Sequence, residues 1–263
     1  MATTYRGVVL DLDGTVYRGN ELLPGAAEAV DAIRDRDISL CCCSNNPTKT
    51  RAEYVDRLAG MGIEIDEHEV LSAGTVTTDY LVEEHTGDDC FLIGSPGLRE
   101  QLADAGVSLI DDPAAADVVV ASWDREFDYD DMTDGLRALA DPTTAFVGSD
   151  PDRTVPASGG RSVPGSGAII GAVAAVADRD PDRVMGKPSL EAIDAVGDAL
   201  GISTGECLLV GDRLDTDIAM GERAGMTTAL VLTGAADRDD VADADVRPDH
   251  VLDSIGDVPD LLG

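Results

Sequence analysis

The chain has 263 residues, of which 52 are acidic and 19 are basic, so its net charge is −33. A surface this anionic repels phosphate backbones and acidic membrane leaflets, which excludes unaided nucleic-acid binding and peripheral membrane attachment. Lysine occurs only at Lys49 and Lys187. Because molar salt shortens the Debye length to about 3 Å and relieves self-repulsion, the composition resembles that of proteins from halophilic, salt-accumulating cells.

The apolar content predicts a folded protein, and the lack of an export signal and the odd number of cysteines fit a reduced cytoplasmic setting. Hydrophobic residues make up 43% of the chain, enough for a sizeable core. The sequence has neither an export signal nor an apolar stretch of the ~20 residues that span a bilayer. Three of the five cysteines are consecutive, at positions 41–43. Neighbouring side chains of a strand point to opposite faces, so we expect small buried hydrophobes rather than a metal site.

Short apolar runs alternate with amphipathic runs, which predicts an α/β protein with a mainly parallel, Rossmann-like sheet. In the first block the predicted elements are a strand at 7–10, a helix at 26–34, a strand at 38–43, a helix at 48–60 and a strand at 69–73. A second, smaller α/β block has predicted strands at 90–93, 107–110, 117–121 and 144–148. Helices at 167–178 and 190–200 and strands at 207–210 and 227–232 follow, and an acidic stretch at 237–260 is predicted to be solvated surface.

Polar residues follow the first predicted strand directly, in the run Asp11-Leu12-Asp13-Gly14-Thr15. Open α/β sheets bind ligands at the carboxyl ends of their strands. A period of two would place the carboxylates of Asp11 and Asp13 on one side, where both could address one centre. An ordinary turn rich in aspartate and glycine explains the same residues, and this motif alone leaves both interpretations open.

Three further motifs lie at comparable positions. Ser44 and Asn45 follow the strand at 38–43, Lys187 precedes a predicted helix, and Asp212 and Asp217 follow the strand at 207–210. A hydroxyl, an amide and an ammonium can all receive phosphate oxygens. Turn formation, a surface lysine and helix capping are the alternative explanations, although capping does not account for Asp212.

The four aspartates would form a dense anionic cluster if these loops met at one sheet edge. Mutual repulsion would raise the pKa values of Asp11, Asp13, Asp212 and Asp217 unless cations neutralised them. The ammonium of Lys187 and a bound Mg²⁺ are the natural neutralising groups.

The order and spacing of the motifs resemble those of the haloacid dehalogenase superfamily. Further segments are similar to the nitrophenyl-phosphatase, or NagD-like, branch of sugar-phosphate, phosphoglycolate and pyridoxal-phosphate phosphatases: Val16-Tyr17-Arg18-Gly19, Pro164-Gly165-Ser166-Gly167, Ala224-Gly225-Met226 and Leu232-Thr233-Gly234. The resemblance extends from about residue 7 to residue 234.

The resemblance implies a role for each motif residue. Asp11 matches the nucleophile that becomes an aspartyl-phosphate, and Asp13 matches the general acid and base. Ser44 and Asn45 match phosphate-binding positions, and Lys187 matches the cation that neutralises charge on the phosphoryl oxygens.

A magnesium ion is also implied by the resemblance. The carboxylates of Asp11 and Asp212 and the backbone carbonyl of Asp13 match its ligands. Asp217 matches an acidic residue that supports the metal shell or orients Lys187.

The resemblance further implies a catalytic core of residues 1–86 and 185–263 and an inserted α/β cap domain of the C2A type at 87–184. In this branch the cap selects the substrate, and caps can pair to form a homodimer. The expected partner is a small-molecule phosphate ester.

The implied function is a Mg²⁺-dependent hydrolase of small phosphate monoesters. A phospho-accepting receiver-like domain is one alternative, but a receiver needs no general acid two residues after its acceptor. A phosphosugar mutase of the same superfamily is another, and its usual helical cap differs from the β-containing block predicted at 87–184.

Overall fold

The computed structural model describes residues 5–157 and 161–263. Its strands are, in chain order, β1 (Gly7–Leu10), β2 (Tyr17–Arg18), β3 (Glu21–Leu22), β4 (Ser39–Ser44), β5 (Val70–Ser72), β6 (Asp89–Ile93), β7 (Ser108–Ile110), β8 (Val118–Ala121), β9 (Ala145–Gly148), β10 (Thr154–Ala157), β11 (Arg161–Pro164), β12 (Arg183–Val184), β13 (Cys207–Gly211), β14 (Thr227–Val231) and β15 (His250–Leu252). Its α-helices are α1 (Ala26–Arg34), α2 (Arg51–Ala59), α3 (Ala73–Glu84), α4 (Pro96–Asp104), α5 (Tyr129–Ala138), α6 (Ser166–Ala177), α7 (Leu190–Leu200), α8 (Ala219–Ala224) and α9 (Arg238–Asp243). Among these residues, no helix has the length and apolar character needed to cross a bilayer.

The chain divides into two compact units. The first comprises the residues up to Ser44, Arg51–Leu71 and the residues from Lys187 onward. The second comprises Asn45–Thr50 and Ser72–Gly186. Helix α3 packs against α4, so the second unit includes α3 and begins earlier in the chain than residue 87.

The first unit is built on a six-stranded sheet with the order β15-β14-β13-β1-β4-β5. The pairs of β1 with β13 and β4, of β13 with β14 and of β14 with β15 are all parallel. Successive chain segments add on opposite sides of β1, which makes the carboxyl end of β1 a topological switch point. The predicted α/β class with a parallel sheet is confirmed.

The two faces of this sheet pack into separate hydrophobic clusters. Val8 and Leu10 of β1 lie in one cluster and Val9 lies in the other, as the period of two in a strand requires. The consecutive cysteines follow the same alternation, with Cys42 in the first cluster and Cys41 and Cys43 in the second. All five cysteines are buried and free. Burial raises the pKa of the Cys42 thiol to about 12, so these thiols stay protonated, as expected of small core residues.

The second unit has its own sheet, with the order β12-β9-β8-β6-β7 and parallel pairing of the adjacent strands. Strands β10 and β11 pair antiparallel in a separate ribbon. The side chains of Phe146, Val119 and Val173 belong to a core cluster that joins the sheet to α6.

Helix α3 has a sequence that does not predict a helix. Its β-branched residues include Thr75, Thr77 and Thr78, a composition more typical of strands. Its start is fixed by a capping box, in which Ser72 Oγ accepts from the Thr75 N–H at 3.2 Å and Thr75 Oγ1 accepts from the Ser72 N–H at 2.9 Å. Thr77 and Thr78 donate to backbone carbonyls one turn earlier, so their hydroxyls are satisfied within the helix.

Candidate active site

The carboxyl ends of β1, β4 and β13 bring the sequence motifs of the first unit to one edge. Leu10 lies opposite Val210 on one side and Cys42 on the other. The backbone N–H of Asp11 donates to the carbonyl of Val210 at 2.9 Å, which continues the ladder by one residue. The position of the Asp11 backbone is therefore fixed by the sheet.

Three carboxylates gather at this edge. Oxygen atoms of Asp11, Asp212 and Asp217 all lie within 4.8 Å of one another. Their residues are 8%, 4% and 1% exposed, so water solvates them little. Buried carboxylates this close require a compensating positive charge.

Lys187 supplies a positive charge inside the group. Its Nζ donates to Asp11 Oδ1 at 2.6 Å and to the carbonyl of Cys43 at 2.8 Å, and it forms an ion pair with Asp217 Oδ1 at 2.7 Å. Burial lowers the pKa of Lys187, but the neighbouring Asp11 and Asp217 carboxylates raise it more, to well above its ordinary value. Lys187 is therefore a charged ammonium that binds two carboxylates.

One ammonium does not neutralise three carboxylates. Burial raises the pKa of Asp11 more than Lys187 lowers it, and Asp217 and Asp212 raise it further. Burial, followed by repulsion from Asp217, raises the pKa of Asp212 to about 7. The raised pKa values reflect the surplus of negative charge that the group has when its carboxyls are ionised, and a further cation would relieve that surplus.

Backbone groups hold Asp212 in place. Asp212 Oδ2 accepts from the N–H of Ala235 at 2.6 Å, and its carbonyl accepts from the N–H of Ala236 at 3.1 Å. A side-chain carbon at Gly14 or Gly234 would overlap the Asp212 carboxylate. Gly14 also has a φ of 99°, which L side chains rarely adopt. Glycines at both positions therefore allow the backbone to close around this carboxylate.

Asp217 lies on a π-helical turn, Leu214–Ile218, that follows β13. Its Oδ2 accepts from the backbone N–H of Arg213 at 3.1 Å. Single π-helical turns are frequent at functional sites because they redirect side chains. The carboxylate of Asp215, on the same turn, pairs with the guanidinium of Arg213 at 3.2 Å, and the start of the turn has no side-chain cap.

The remaining candidates have different surroundings. Ser44 is buried at the end of β4, and its Oγ accepts from the hydroxyl of Tyr54 at 3.3 Å. Asn45 belongs to the second unit, where its Nδ2 donates to Asp152 Oδ1 at 3.3 Å. Asp13 has an exposed side chain and a backbone bridge to Tyr17. Its carboxylate is not part of the close group formed, among the described residues, by the other three aspartates.

Sequence reasoning missed several groups around these side chains. The carbonyl of Cys43 and the N–H of Ala235 are backbone atoms, which no residue pattern identifies. Tyr54 occupies an ordinary amphipathic helix, α2, and nothing in that pattern distinguishes it. Gly14 and Gly234 lie inside the matched motifs, and the lack of a side chain at these positions could have indicated a close approach of the backbone to another group.

The second unit contains another buried acid, Asp150, which is 1% exposed. It accepts from the Ser149 hydroxyl at 3.0 Å and from the backbone N–H of Asp152 at 3.1 Å. Burial, followed by repulsion from Asp152, raises the pKa of Asp150 to about 7. We refer to these two residues as the Asp150–Asp152 pair.

The close aspartate group in the first unit fits a divalent cation. Asp11 Oδ2 is buried and has no hydrogen-bond partner, an arrangement that is costly unless a ligand occupies it. The donors are carboxylate oxygens, which Mg²⁺ prefers over nitrogen or sulfur ligands. Asp11 and Asp212 are the candidate ligands, because Asp217 Oδ1 is paired with Lys187.

Comparisons with known proteins agree with this geometry. Residues 8–108 match the family model described as haloacid dehalogenase-like hydrolase, and residues 184–258 match a second model of the same hydrolase type. Sugar-phosphatase AraL of Bacillus subtilis is 36% identical over 97% of this chain and 92% of its own length. Human glycerol-3-phosphate phosphatase is 34% identical over 97% of this chain and 91% of its own length.

A solved structure extends the likeness to the whole fold. The p-nitrophenyl phosphatase from Archaeoglobus fulgidus superposes with a TM-score of 0.91 at 32% identity, covering 98% of this chain and 99% of that one. Relatives this similar over nearly their full length share one family. The chain therefore belongs to the haloacid dehalogenase-like hydrolases, in the nitrophenyl-phosphatase and NagD-like branch, and is a phosphatase.

Proposed function

We propose that the chain is a Mg²⁺-dependent phosphomonoesterase that acts on small soluble phosphate esters through an aspartyl-phosphate intermediate. The observation that carries this proposal is the environment of Asp11. Lys187 binds its Oδ1, while its Oδ2 is buried without a hydrogen-bond partner. A carboxylate with one oxygen fixed and the other unengaged is suited to act as a nucleophile.

In the first step Asp11 attacks the phosphorus atom. A bond forms between the carboxylate oxygen and phosphorus, and the bond from phosphorus to the ester oxygen breaks. Asp13 donates a proton to the departing oxygen, so an alcohol leaves rather than an alkoxide. The exposure of Asp13 supports this role, because an acid that meets substrate must be reachable.

In the second step Asp13, now a carboxylate, takes a proton from water. The water oxygen attacks phosphorus, and the bond to Asp11 breaks. Inorganic phosphate and the original carboxylate result. Dividing one displacement into two lets the same pair of aspartates serve both halves of the reaction.

Phosphoryl transfer requires charge neutralisation more than elaborate chemistry. Lys187 is charged and buried, which makes it the cation for the phosphoryl oxygens. By the family resemblance Ser44 and Asn45 are phosphate-binding residues, and Asp217 would orient Lys187 through their ion pair.

Mg²⁺ would be held by the carboxylates of Asp11 and Asp212, with the backbone carbonyl of Asp13 as a third protein ligand. When bound, it would supply positive charge to the transferring phosphoryl group and to the surplus carboxylates. The Asp212 carboxylate is already fixed by Ala235, so little reorganisation accompanies metal binding.

The substrate is expected to be a small phosphomonoester of the sugar-phosphate, phosphoglycolate or glycerol-phosphate type. The inserted α/β region, at about 87–184 by the family resemblance, is proposed to select it and to offer a surface for homodimer formation. The halophilic setting and a cytoplasmic location complete the proposal.

A substrate and metal screen tests this function. We expect phosphate release from one class among phosphoglycolate, glycerol phosphates, sugar phosphates and nucleotides, assayed in molar KCl with Mg²⁺. A chelator should abolish release and added Mg²⁺ should restore it. Acid quenching during turnover should yield a phosphorylated peptide that contains Asp11. Full activity in the presence of the chelator would contradict the metal dependence, and absence of that peptide would contradict the covalent step.

The same assay separates the competing functions. A phosphosugar mutase would convert a sugar phosphate to its isomer without net phosphate release. A receiver-like domain would retain its phosphate and show no turnover.

A further inference from the structure

The hydroxyl of Tyr54 lies against a residue of the proposed phosphate site. Tyr54 is on α2 and is 1% exposed, and Ser44 is at the end of β4 and is 4% exposed. The Tyr54 hydroxyl donates to Ser44 Oγ at 3.3 Å, and both atoms are buried. Both residues belong to the first unit.

The ring of Tyr54 is held firmly, so its hydroxyl has a defined position. It belongs to the large hydrophobic cluster of the first unit and is among the bulkiest fully buried side chains. A hydroxyl on a packed ring has one remaining rotation, about its own C–O bond. Ser44 therefore meets a donor whose oxygen is positioned by the packed ring.

Tyr54 remains a donor throughout the range in which enzymes work. Burial raises its pKa more than the hydrogen bond to Ser44 lowers it, and the charges of Asp13 and Asp11 raise it further. The same two carboxylates show that the phenol lies within electrostatic reach of the reacting groups. A phenolate would repel a phosphoryl group, whereas the neutral phenol does not.

We propose that Tyr54 is a positioning residue for Ser44: its hydrogen bond restricts the rotation of the Ser44 hydroxyl and directs the Ser44 proton toward a phosphoryl oxygen. This inference rests on the proposed function, in which Ser44 binds the phosphoryl group. A serine hydroxyl that accepts one hydrogen bond is more narrowly directed as a donor, because the acceptor lone pair and the proton occupy different tetrahedral positions.

A merely structural tyrosine would behave differently. The alternative is that Tyr54 is a core residue whose hydroxyl happens to find a buried partner. In that case its removal would change the stability of the fold and would leave phosphate binding unchanged.

The test uses Tyr54→Phe, which keeps the ring and removes the hydroxyl. We expect the inhibition constant of inorganic phosphate to rise about 3- to 10-fold, the range expected for loss of one neutral hydrogen bond. The KM of a phosphate ester should rise in parallel, with a smaller change in kcat. The matched control is Tyr5→Phe, another buried tyrosine of the same core cluster, which should leave both constants unchanged.

A double-mutant cycle with Ser44→Ala decides whether Tyr54 acts through Ser44. In the Ser44→Ala background, Tyr54→Phe should add less than about a twofold change, because the hydroxyl to be positioned is gone. An equal effect in both backgrounds would overturn the proposal, as would an unchanged inhibition constant in Tyr54→Phe. A Tyr54→Phe chain that does not fold would also overturn it, since the hydroxyl would then serve stability.

Failure of the two proposals can be told apart. If the native chain releases phosphate from no ester, the phosphatase mechanism fails and this inference fails with it. If the native chain is active and Ser44→Ala weakens phosphate binding, but Tyr54→Phe resembles Tyr5→Phe, only the role of Tyr54 is wrong.

Discussion

The two units of the molecule each bury carboxylates, but they compensate them in opposite ways. In the first unit Asp11, Asp212 and Asp217 surround one ammonium, that of Lys187, and retain a surplus of negative charge. In the second unit Asp150 receives hydrogen bonds from a hydroxyl and a backbone N–H. The first arrangement relies on charge and the second on neutral donors.

This difference distinguishes a carboxylate group proposed to react from a carboxyl group that supports the fold. A group with surplus charge attracts cations, and under the proposed function a metal that joined it would let the group bind a phosphoryl group. A carboxyl that is satisfied by neutral donors can keep its proton and stabilise a turn. The buried carboxylates of the first unit therefore differ from Asp150 in having a buried cation, Lys187, among their partners.

The largest expected effect comes from removing the proposed nucleophile. Asp11→Asn should lower turnover by roughly four orders of magnitude or more, because no covalent intermediate can form. The chain should still fold, since Lys187 keeps its ion pair with Asp217. Steady-state phosphate release and thermal unfolding measure the two effects. Asp150→Asn is the matched control in the second unit and should retain turnover. Residual activity that survives repurification of Asp11→Asn would exclude Asp11 as the nucleophile.

Removing the ammonium tests whether charge compensation also stabilises the first unit. Lys187→Met leaves Asp11 and Asp217 without their buried cation, which should cost about 3–5 kcal/mol of unfolding free energy. Urea denaturation measures the loss. Lys49→Met replaces the other lysine, at a partly exposed position, and should change stability by less than about 0.5 kcal/mol. Equal effects of the two substitutions would show that Lys187 does not stabilise the carboxylate group.

Removing the charge of Asp150 should raise stability, whereas removing that of Lys187 should lower it, and the gain should depend on pH. The pKa of Asp150 is raised to about 7 in the folded chain. The protonated form is therefore favoured by folding, and the stability it contributes is lost as pH rises from about 4 through 7. Asp150→Asn should recover up to ~4 kcal/mol at pH 8, and this gain should disappear toward pH 4.

The measurement is the free energy of unfolding of the native chain and of Asp150→Asn between pH 4 and pH 8. A gain from Asp150→Asn that is the same at pH 5 and pH 8 would show that Asp150 does not titrate near neutrality.

Salt produces the smallest and least specific effect. As KCl falls from molar to about 0.1 M the Debye length grows to ~10 Å, and repulsion among surface acids should lower Tm by about 2–4 °C for each kcal/mol lost. Turnover should fall as well. The gain from Asp150→Asn should stay nearly the same at both concentrations, because the buried carboxyl of Asp150 is screened little. A Tm that is unchanged by salt would refute salt adaptation without affecting the catalytic assignment.

The sequence predicts most of the first unit because its central strands are buried on both faces. Strand β1 and helix α1 begin and end where the apolar patterns place them. A parallel sheet brings the loops after such strands to one edge, so the meeting of Asp11, Asp212 and Asp217 follows from motif order. Lys187 joins them as the cation that their charges require.

Other features depend on contacts that the sequence does not display. Helix α3 was not predicted, because its threonines are more typical of strands. The helix forms because Thr77 and Thr78 satisfy their hydroxyls within it. Strand β11 was not predicted either, because it is short and exposed and its sequence contains no apolar run. The burial of Asp150 and the bond from Tyr54 to Ser44 arise from packing between segments distant in sequence, and no local pattern encodes them.

The closeness of Gly14 and Gly234 to the Asp212 carboxylate has a consequence for how this site can vary. In a library of all single substitutions, these two positions should tolerate as few residues as Asp11 does, although neither has a side chain to lose. An exchange of Asp212 for the longer glutamate would need both backbones to shift at once. Single mutational steps therefore lead away from this site only through inactive proteins, and the acid at 212 is fixed by its neighbours as much as by its chemistry.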